Sequence, residues 1–325
     1  MTSEFDAGAA AAIGTEVQAA AARLIDNVAK VVVGRRDTIT LLAVALLCEG
    51  HVTLEDVPGV GKTLLAKALA RSLDGSFRRI QCTPDLLPSD VTGINMFDQK
   101  EGAFRYRPGP VMANVVLADE INRATPRTQS CLLEAMEERQ VTVDAETRSL
   151  PRPFILLATQ NPVEQEGTFP LPEAQLDRFL MRLRQGYPTP QEEEEILLRF
   201  ERTDPLDALR PVLAGPELLH LQERCRAVFV SPVIRAYLVE VVRATRANPA
   251  LRLGASPRAT QRLYRAAQAW AAVGGRGFVL PDDIQALALP VLAHRLILRP
   301  EASMRGASAE SILQDAIDTI PVPVE

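Results

Sequence analysis

Between His51 and Ala70 a short apolar strand runs into Pro58-Gly59-Val60-Gly61, then Lys62-Thr63-Leu64, then an apolar helix-forming run. No other stretch limits the fold as much. Glycines there let consecutive backbone N–H groups turn inward around phosphate oxygens, a conformation that side chains would obstruct. The helix that follows points its positive dipole end at the same place. Lys62 adds a mobile charge for β- and γ-phosphates, and the Thr63 hydroxyl can ligate Mg²⁺. The pattern G-x-x-x-x-G-K-[ST] asks for glycine at position 56, where this chain has Asp56. That first glycine is the least directly involved in cradling phosphate, so binding is expected to survive. The alternative is a glycine-rich turn before an ordinary helix, with Lys62 merely solvated.

A second anchor is Val115-Val116-Leu117-Ala118-Asp119-Glu120. A fully apolar strand fits a parallel sheet buried on both faces. Ending it in two carboxylates puts both at the strand's carboxyl end, where open α/β sheets bind ligands. Asp119 can hold Mg²⁺, and Glu120 can orient and deprotonate an attacking water. Alone, the pair also fits a helix N-cap. Phe154 to Thr159 is another buried strand, running into Gln160-Asn161-Pro162. Asn161 at that tip would sit beside a γ-phosphate and the attacking water; a turn-forming Asn-Pro is the alternative.

The 325 residues suggest about two domains, and 47% hydrophobic with 24% charged residues suits a soluble globular protein. A net charge of −5 weighs against a dominant nucleic-acid footprint. No early segment pairs a basic region with an apolar one as a secretory signal does. The longest apolar run, Ile39 to Cys48, falls well short of the ~18 residues of a membrane span. Cys48, Cys82, Cys131 and Cys225 share no close spacing and suit a reducing, cytoplasmic setting, and the scattered histidines do not suggest a structural metal.

Along the chain, the first ~14 residues are Ala/Gly-rich and are expected to be disordered. Thr15 to Val32 and Asp37 to Cys48 read as helices. Between them Gly34 and Arg35 are candidate nucleotide contacts or, equally, a helix-capping turn. Phe104 to Pro110 and Gln140 to Leu150 read as hairpin strands. The alternating aromatic and Arg residues of the first fit contact with a threaded polymer or, more simply, local packing. Met181 to Leu183 is the last strand. Before it, Arg178 could enter a neighbouring subunit's site, against an ion pair with Asp177 or Glu173. Beyond Tyr187 the chain reads helical, placing an α/β core at 1–187 and an all-α lid at 188–325. Ser256-Pro257-Arg258 looks like an N-cap, a proline and then a cation that opposes its own helix dipole. Something must hold Arg258 there, and a nucleotide phosphate would.

Asp56-Val57-Pro58-Gly59-Val60-Gly61-Lys62-Thr63, Ala118-Asp119-Glu120-Ile121-Asn122-Arg123, Ala158-Thr159-Gln160-Asn161-Pro162 and Pro172 to Phe179 together resemble the MoxR family of AAA+ ATPases. The resemblance runs from about residue 28 to the end, including Gly254 to Arg258 and His294-Arg295. It implies an AAA+ P-loop core, a parallel five-stranded sheet between helices with two β-hairpin insertions, followed by the helical lid. It also implies ATP or ADP with Mg²⁺ as cofactors, Walker A at Lys62 and Thr63, and Walker B at Asp119 and Glu120. Sensor 1 would be Asn161, sensor 2 Arg258, and the trans-acting finger Arg178, with Arg123 a possible second. Such proteins look like hexameric, chaperone-like ATPases acting on partners with von Willebrand factor A-type domains. The competing functions are an AAA+ motor on DNA and a nucleotide-gated switch that barely turns over.

Overall fold

The computed structural model describes residues 7–57, 59–160, 168–201 and 203–323. The chain opens with two helices, α1 (Ala7–Ala29) and α2 (Arg36–Leu47). The expectation of disorder over the first ~14 residues does not hold for Ala7 to Gly14, which belong to α1. Alanine is the best helix former, and Ala10 and Ile13 are already buried. Gly14 lets α1 approach the backbone at Gly275, since a β-carbon there would fall 2.3 Å from the Gly275 carbonyl oxygen.

Next come β1 (Val52–Glu55), α3 (Lys62–Ser72), β2 (Phe77–Gln81), a short α4 (Pro88–Thr92), the hairpin β3 (Gly93–Asp98) and β4 (Ala103–Pro108), and β5 (Val115–Asp119). They are followed by α5 (Pro126–Glu138), the hairpin β6 (Gln140–Val143) and β7 (Glu146–Ser149), β8 (Ile155–Gln160), α6 (Glu173–Leu176) and β9 (Met181–Leu183). Five of these strands form one parallel sheet in the order β2-β5-β8-β1-β9. Side chains alternate across it with the period of a strand. Val115, Leu117, Ile155 and Leu157 join the core shared with α1, α2 and α3. Val116, Ala118, Leu156 and Ala158 join a second core with Leu132, Leu133 and Met136 of α5. Because all five strands run the same way, Glu55, Gln81, Asp119 and Gln160 end at one edge. His51 and the turn before β9 lie at the other edge, where Leu180 N–H donates to the His51 carbonyl.

Both predicted hairpins form, and they touch. Asn95 donates to Asp144 at 3.0 Å, and the Arg148 guanidinium stands 4.2 Å over the Tyr106 ring. Phe97 and Phe104 pack edge to face, yet stay exposed.

The rest of the chain carries α7 (Pro190–Phe200), α8 (Pro205–Ala208), α9 (Gly215–Arg226), α10 (Pro232–Ala247), α11 (Pro257–Val273), α12 (Pro281–Leu292), α13 (Pro300–Met304) and α14 (Ala309–Thr319). It is not wholly helical: β10 (Leu251–Leu253) pairs antiparallel with β11 (Ile297–Leu298). Helices α9 and α11 pack against α1 and α2, so lid and sheet share one apolar cluster. No helix among the described residues is long and apolar enough to cross a membrane.

Candidate functional site

Gly59 and Gly61 carry φ of 87° and 90°, left-handed values that side chains resist, and a β-carbon on either would meet open space. Steric room is therefore not what requires glycine there; the backbone turn is. Gly61 caps α3 without any side-chain acceptor, so the first-turn N–H groups are left for a ligand. Lys62 Nζ donates to the carbonyls of Asp56 at 2.7 Å and Val57 at 3.2 Å. Burial lowers the Lys62 pKa, against the pull of Asp56, Asp119 and Glu120. Val60, Thr63 and Leu64 are half-buried beside it. Pro58 and Asn161 lie outside the described residues.

Asp56, standing where the pattern asks for glycine, has its own task. Its buried carboxylate accepts from the backbone N–H groups of Gln185 and Gly186, the latter at 3.1 Å. Arg35 donates to the Gly186 carbonyl at 2.9 Å and stands 3.9 Å from Glu192 of α7. Gly34, at φ 70°, sets the turn into α2. The structure thus brings Gly34 and Arg35 to the strand exit that Asp56 ties to the loop.

Asp119 and Glu120 meet at the carboxyl edge as expected, and Thr159 organises them. Its hydroxyl donates to Asp119 Oδ1 at 2.5 Å and accepts the Glu120 N–H at 2.8 Å. Asp119 Oδ2 accepts from Arg79 Nε at 3.0 Å and Nη2 at 2.6 Å. Glu120 Oε2 accepts from Gln81 at 3.1 Å and from Arg123 at 3.1 Å. Glu120 itself is left-handed, with φ 56° and ψ 51°, a costly backbone state for a side-chain-bearing residue. Arg123, the possible second finger, is therefore engaged with its own chain's Glu120. Thr159, Arg79 and Gln81 were not singled out from the sequence. Their signal was polar residues at the carboxyl ends of strands adjacent to β5, with Gln81 in register with Asp119.

These residues fit Mg²⁺-nucleotide. The uncapped α3 terminus and open glycine turn suit phosphate oxygens. Among the described residues no three His, Cys, Asp or Glu side chains cluster as a metal cage. Asp119 and Thr63 are the oxygen donors that would hold a cation together with phosphate, the usual habit of Mg²⁺.

Arg178 and Arg258 lie elsewhere. Glu137, at the end of α5, pairs with Arg178 Nε at 3.0 Å and with Arg258 Nη2 at 2.7 Å. Neither Asp177 nor Glu173 is the partner of Arg178. Asp177 accepts from Arg295 and Ser256, and Glu173 from Arg252. The partner of Arg258 in this structure is a carboxylate rather than the expected phosphate, and it satisfies a cation that opposes its helix dipole. This cluster sits at the amino edge with Glu49 and His51. Strands rising ~3.3 Å per residue put it more than about 10 Å from the carboxyl edge. Within one chain the two arginines lie at the edge opposite Lys62.

A model described as the ATPase family associated with various cellular activities (AAA) matches residues 51–181, and one for the AAA lid domain matches 243–316. The chain is 43% identical to Chaperone MoxR1 of Mycobacterium tuberculosis over 93% of its length and 82% of that protein. It is 36% identical to Protein MoxR of Paracoccus denitrificans, covering 90% of this chain and 93% of the relative. A crystal structure from Cytophaga hutchinsonii, described as a candidate ATPase, superposes with a TM-score of 0.90 at 39% identity, over 96% of this chain and 98% of that one. With that fold, these motifs and relatives of this closeness along nearly the whole chain, the protein belongs to the MoxR family of AAA+ ATPases.

Proposed function

We propose that this chain hydrolyses Mg²⁺-ATP at a site completed by a second copy in a hexameric ring, and uses the cycle to remodel a protein client. The arrangement of charges carries this reading. An open phosphate cradle and a held acid pair occupy one edge of the sheet, while two arginines wait at the opposite edge. Head-to-tail copies would bring those edges together.

In this reading Lys62 leaves the Asp56 and Val57 carbonyls for the β- and γ-phosphates. Glu120 takes the proton of the attacking water, and Asn161 orients that water. Asp119 and Thr63 would hold Mg²⁺, which would supply positive charge against that of the phosphates. Arg178 of a neighbour, with Arg258 beside it, stabilises charge on the transferring phosphoryl, and Gly34 and Arg35 border the base. The core at 1–187 would carry the chemistry and the lid at 188–325 the coupling between copies. A remodelling role is supported by the relative named as a chaperone, and a von Willebrand factor A-type client by the family resemblance alone. The exposed Phe97 and Phe104 offer a client an apolar contact. A net charge of −5 disfavours the DNA motor.

The test is Glu120→Gln, which keeps shape but removes the base. ATP should bind with near wild-type affinity while turnover falls ~10²–10⁴-fold. Unchanged turnover would remove Glu120 from the chemistry.

A further inference from the structure

Helix α7 has no buried residue, although it carries Ile196, Leu197, Leu198 and Phe200. Leu197 is 73% exposed and Leu198 66%. Glu192 and Arg199 face the protein, the first near Arg35 and the second donating to the Ala29 carbonyl. Helical spacing then puts Glu193, Glu194, Leu197 and Leu198 together on the outward face. Neither Glu193 nor Glu194 has an ion pair among the described residues. A face that joins acid to uncovered leucine is unusual for a free surface.

Complementary chemistry lies at the other edge of the sheet. A cleft of about 950 Å³ opens between the end of α5 and helices α9, α10 and α11. Six arginines line it (Arg139, Arg226, Arg235, Arg258, Arg262 and Arg265), against two glutamates, Glu49 and Glu137. Those glutamates are oversubscribed. Glu49 already serves Arg139, Arg152 and Arg226, and Glu137 serves Arg178 and Arg258. Among the described residues neither Arg262 nor Arg265 has an ion pair; Arg265 donates to Gln268 and lies 5.8 Å from the centre of the Tyr264 ring. Between the arginines, Leu47, Val239 and Tyr264 give the cleft an apolar floor.

We infer that α7 of one copy docks into the arginine cleft of the next, with Glu193 and Glu194 on Arg262 and Arg265 and the two leucines on that floor. The occupant is a second copy of this chain. The charges are opposite, the apolar parts match, and the two surfaces sit where head-to-tail assembly joins them. Helix α7 adjoins the phosphate-loop edge through Arg35 and Gly186, and the cleft contains Arg258, which shares Glu137 with Arg178. The inference rests on the shared-site reading and names what aligns it.

The experiment is a charge swap in the full chain, read by sedimentation over a concentration series with a non-hydrolysable ATP analogue. Glu193→Lys with Glu194→Lys should raise the concentration for half-assembly about tenfold, as should Arg262→Glu with Arg265→Glu. Combining all four in one chain should return it to within about threefold of wild type, since the pairs are restored with reversed polarity. Leu197→Ser with Leu198→Ser should weaken assembly without changing charge. Nucleotide binding by the dilute monomers should match wild type and report intact folds. If wild type assembles but the combined variant does no better than either half, the docking is wrong and the shared site stands. If only the cleft variants lose assembly, the cleft holds another anion, such as a nucleotide. A wild type that stays monomeric at every concentration overturns both.

Discussion

Arg178 and Arg258 meet on one carboxylate. Arg178 precedes β9 and Arg258 opens α11, yet Glu137 lies 3.0 Å from the first and 2.7 Å from the second. Arg295, buried beneath them, fixes the turn by donating to Asp177 Oδ1 at 2.8 Å and to the Leu180 carbonyl at 3.3 Å. Two cations are thus held ready at the edge of the sheet farthest from their own phosphate loop. A neighbour's phosphate would compete with Glu137 for both.

Thr159 should matter to turnover more than to binding. Its hydroxyl fixes Asp119 and the Glu120 backbone at once. Thr159→Val keeps the shape and removes both bonds, and loss of such supporting contacts typically costs ~10–100-fold in activity. Steady-state kinetics should show kcat down by that amount with KM for ATP changed little. An unaltered kcat would mean that the acid pair holds itself.

Arg79 should compete with the metal. It places two N–H groups on Asp119 Oδ2, so a cation arriving at Asp119 must displace it. The pair is half exposed on the arginine side, and such pairs are worth at most ~1 kcal/mol, which limits the effect to about fivefold. Arg79→Gln should lower the Mg²⁺ concentration for half-maximal turnover by up to that factor. A Mg²⁺ titration with an unmoved or raised midpoint contradicts this.

Much of this site was legible because strand, glycine turn and strand-end acids each obey a local rule. Lys62 opens the helix after β1, Asp119 ends β5 with Glu120 next to it, and parallel strands put those places on one edge. Thr159 and Arg79 needed the β2-β5-β8 adjacency, which no single stretch encodes. The partner of Arg258 depends on how the lid docks, a tertiary choice, so Glu137 could not be foreseen from Ser256-Pro257-Arg258. The first turns of α1 were missed because alanine signals neither apolar stripe nor disorder. The close approaches of Gly14 to Gly275 and of Gly277 to Ala10 show why that segment is packed. Strands β10 and β11 are too short to show an alternating pattern.

Asp56 should be structural. The residue is 7% exposed, and its carboxylate ties the loop to Gln185 and Gly186. Asp56→Gly restores the general pattern yet removes hydrogen bonds to a charged acceptor, at a cost of roughly 2–3 kcal/mol. Denaturant unfolding should show the loss. A variant as stable as wild type would show the tie to be idle.

His51 should make the fold acid-sensitive. Its Nε2 is 3.0 Å from the Met136 carbonyl and its Nδ1 accepts from Leu156 N–H at 3.0 Å, which fixes a neutral ring. Burial lowers its pKa from 6.5 to about 3. Between those values the unfolded chain binds a proton that the folded chain refuses, so stability is full above pH 6.5 and falls as pH drops. One such group contributes a slope of up to ~1.4 kcal/mol per pH unit. Buried His294 is lowered too and adds a slope of the same sign. His51→Gln should flatten part of the dependence of unfolding free energy between pH 6.5 and 5. An unchanged slope contradicts the assignment.

The shared site is tested most directly by mixing two inactive proteins. Lys62→Ala lacks a working cradle but still presents Arg178, whereas Arg178→Ala has an intact cradle and no arginine to offer. A trans arginine is worth ~10³–10⁵ in turnover. Each variant alone should be nearly inactive, and the co-assembled mixture should regain ATP hydrolysis that rises with total protein concentration. A mixture that stays inactive, although the two proteins demonstrably co-assemble, contradicts a site completed by Arg178 of a neighbouring copy.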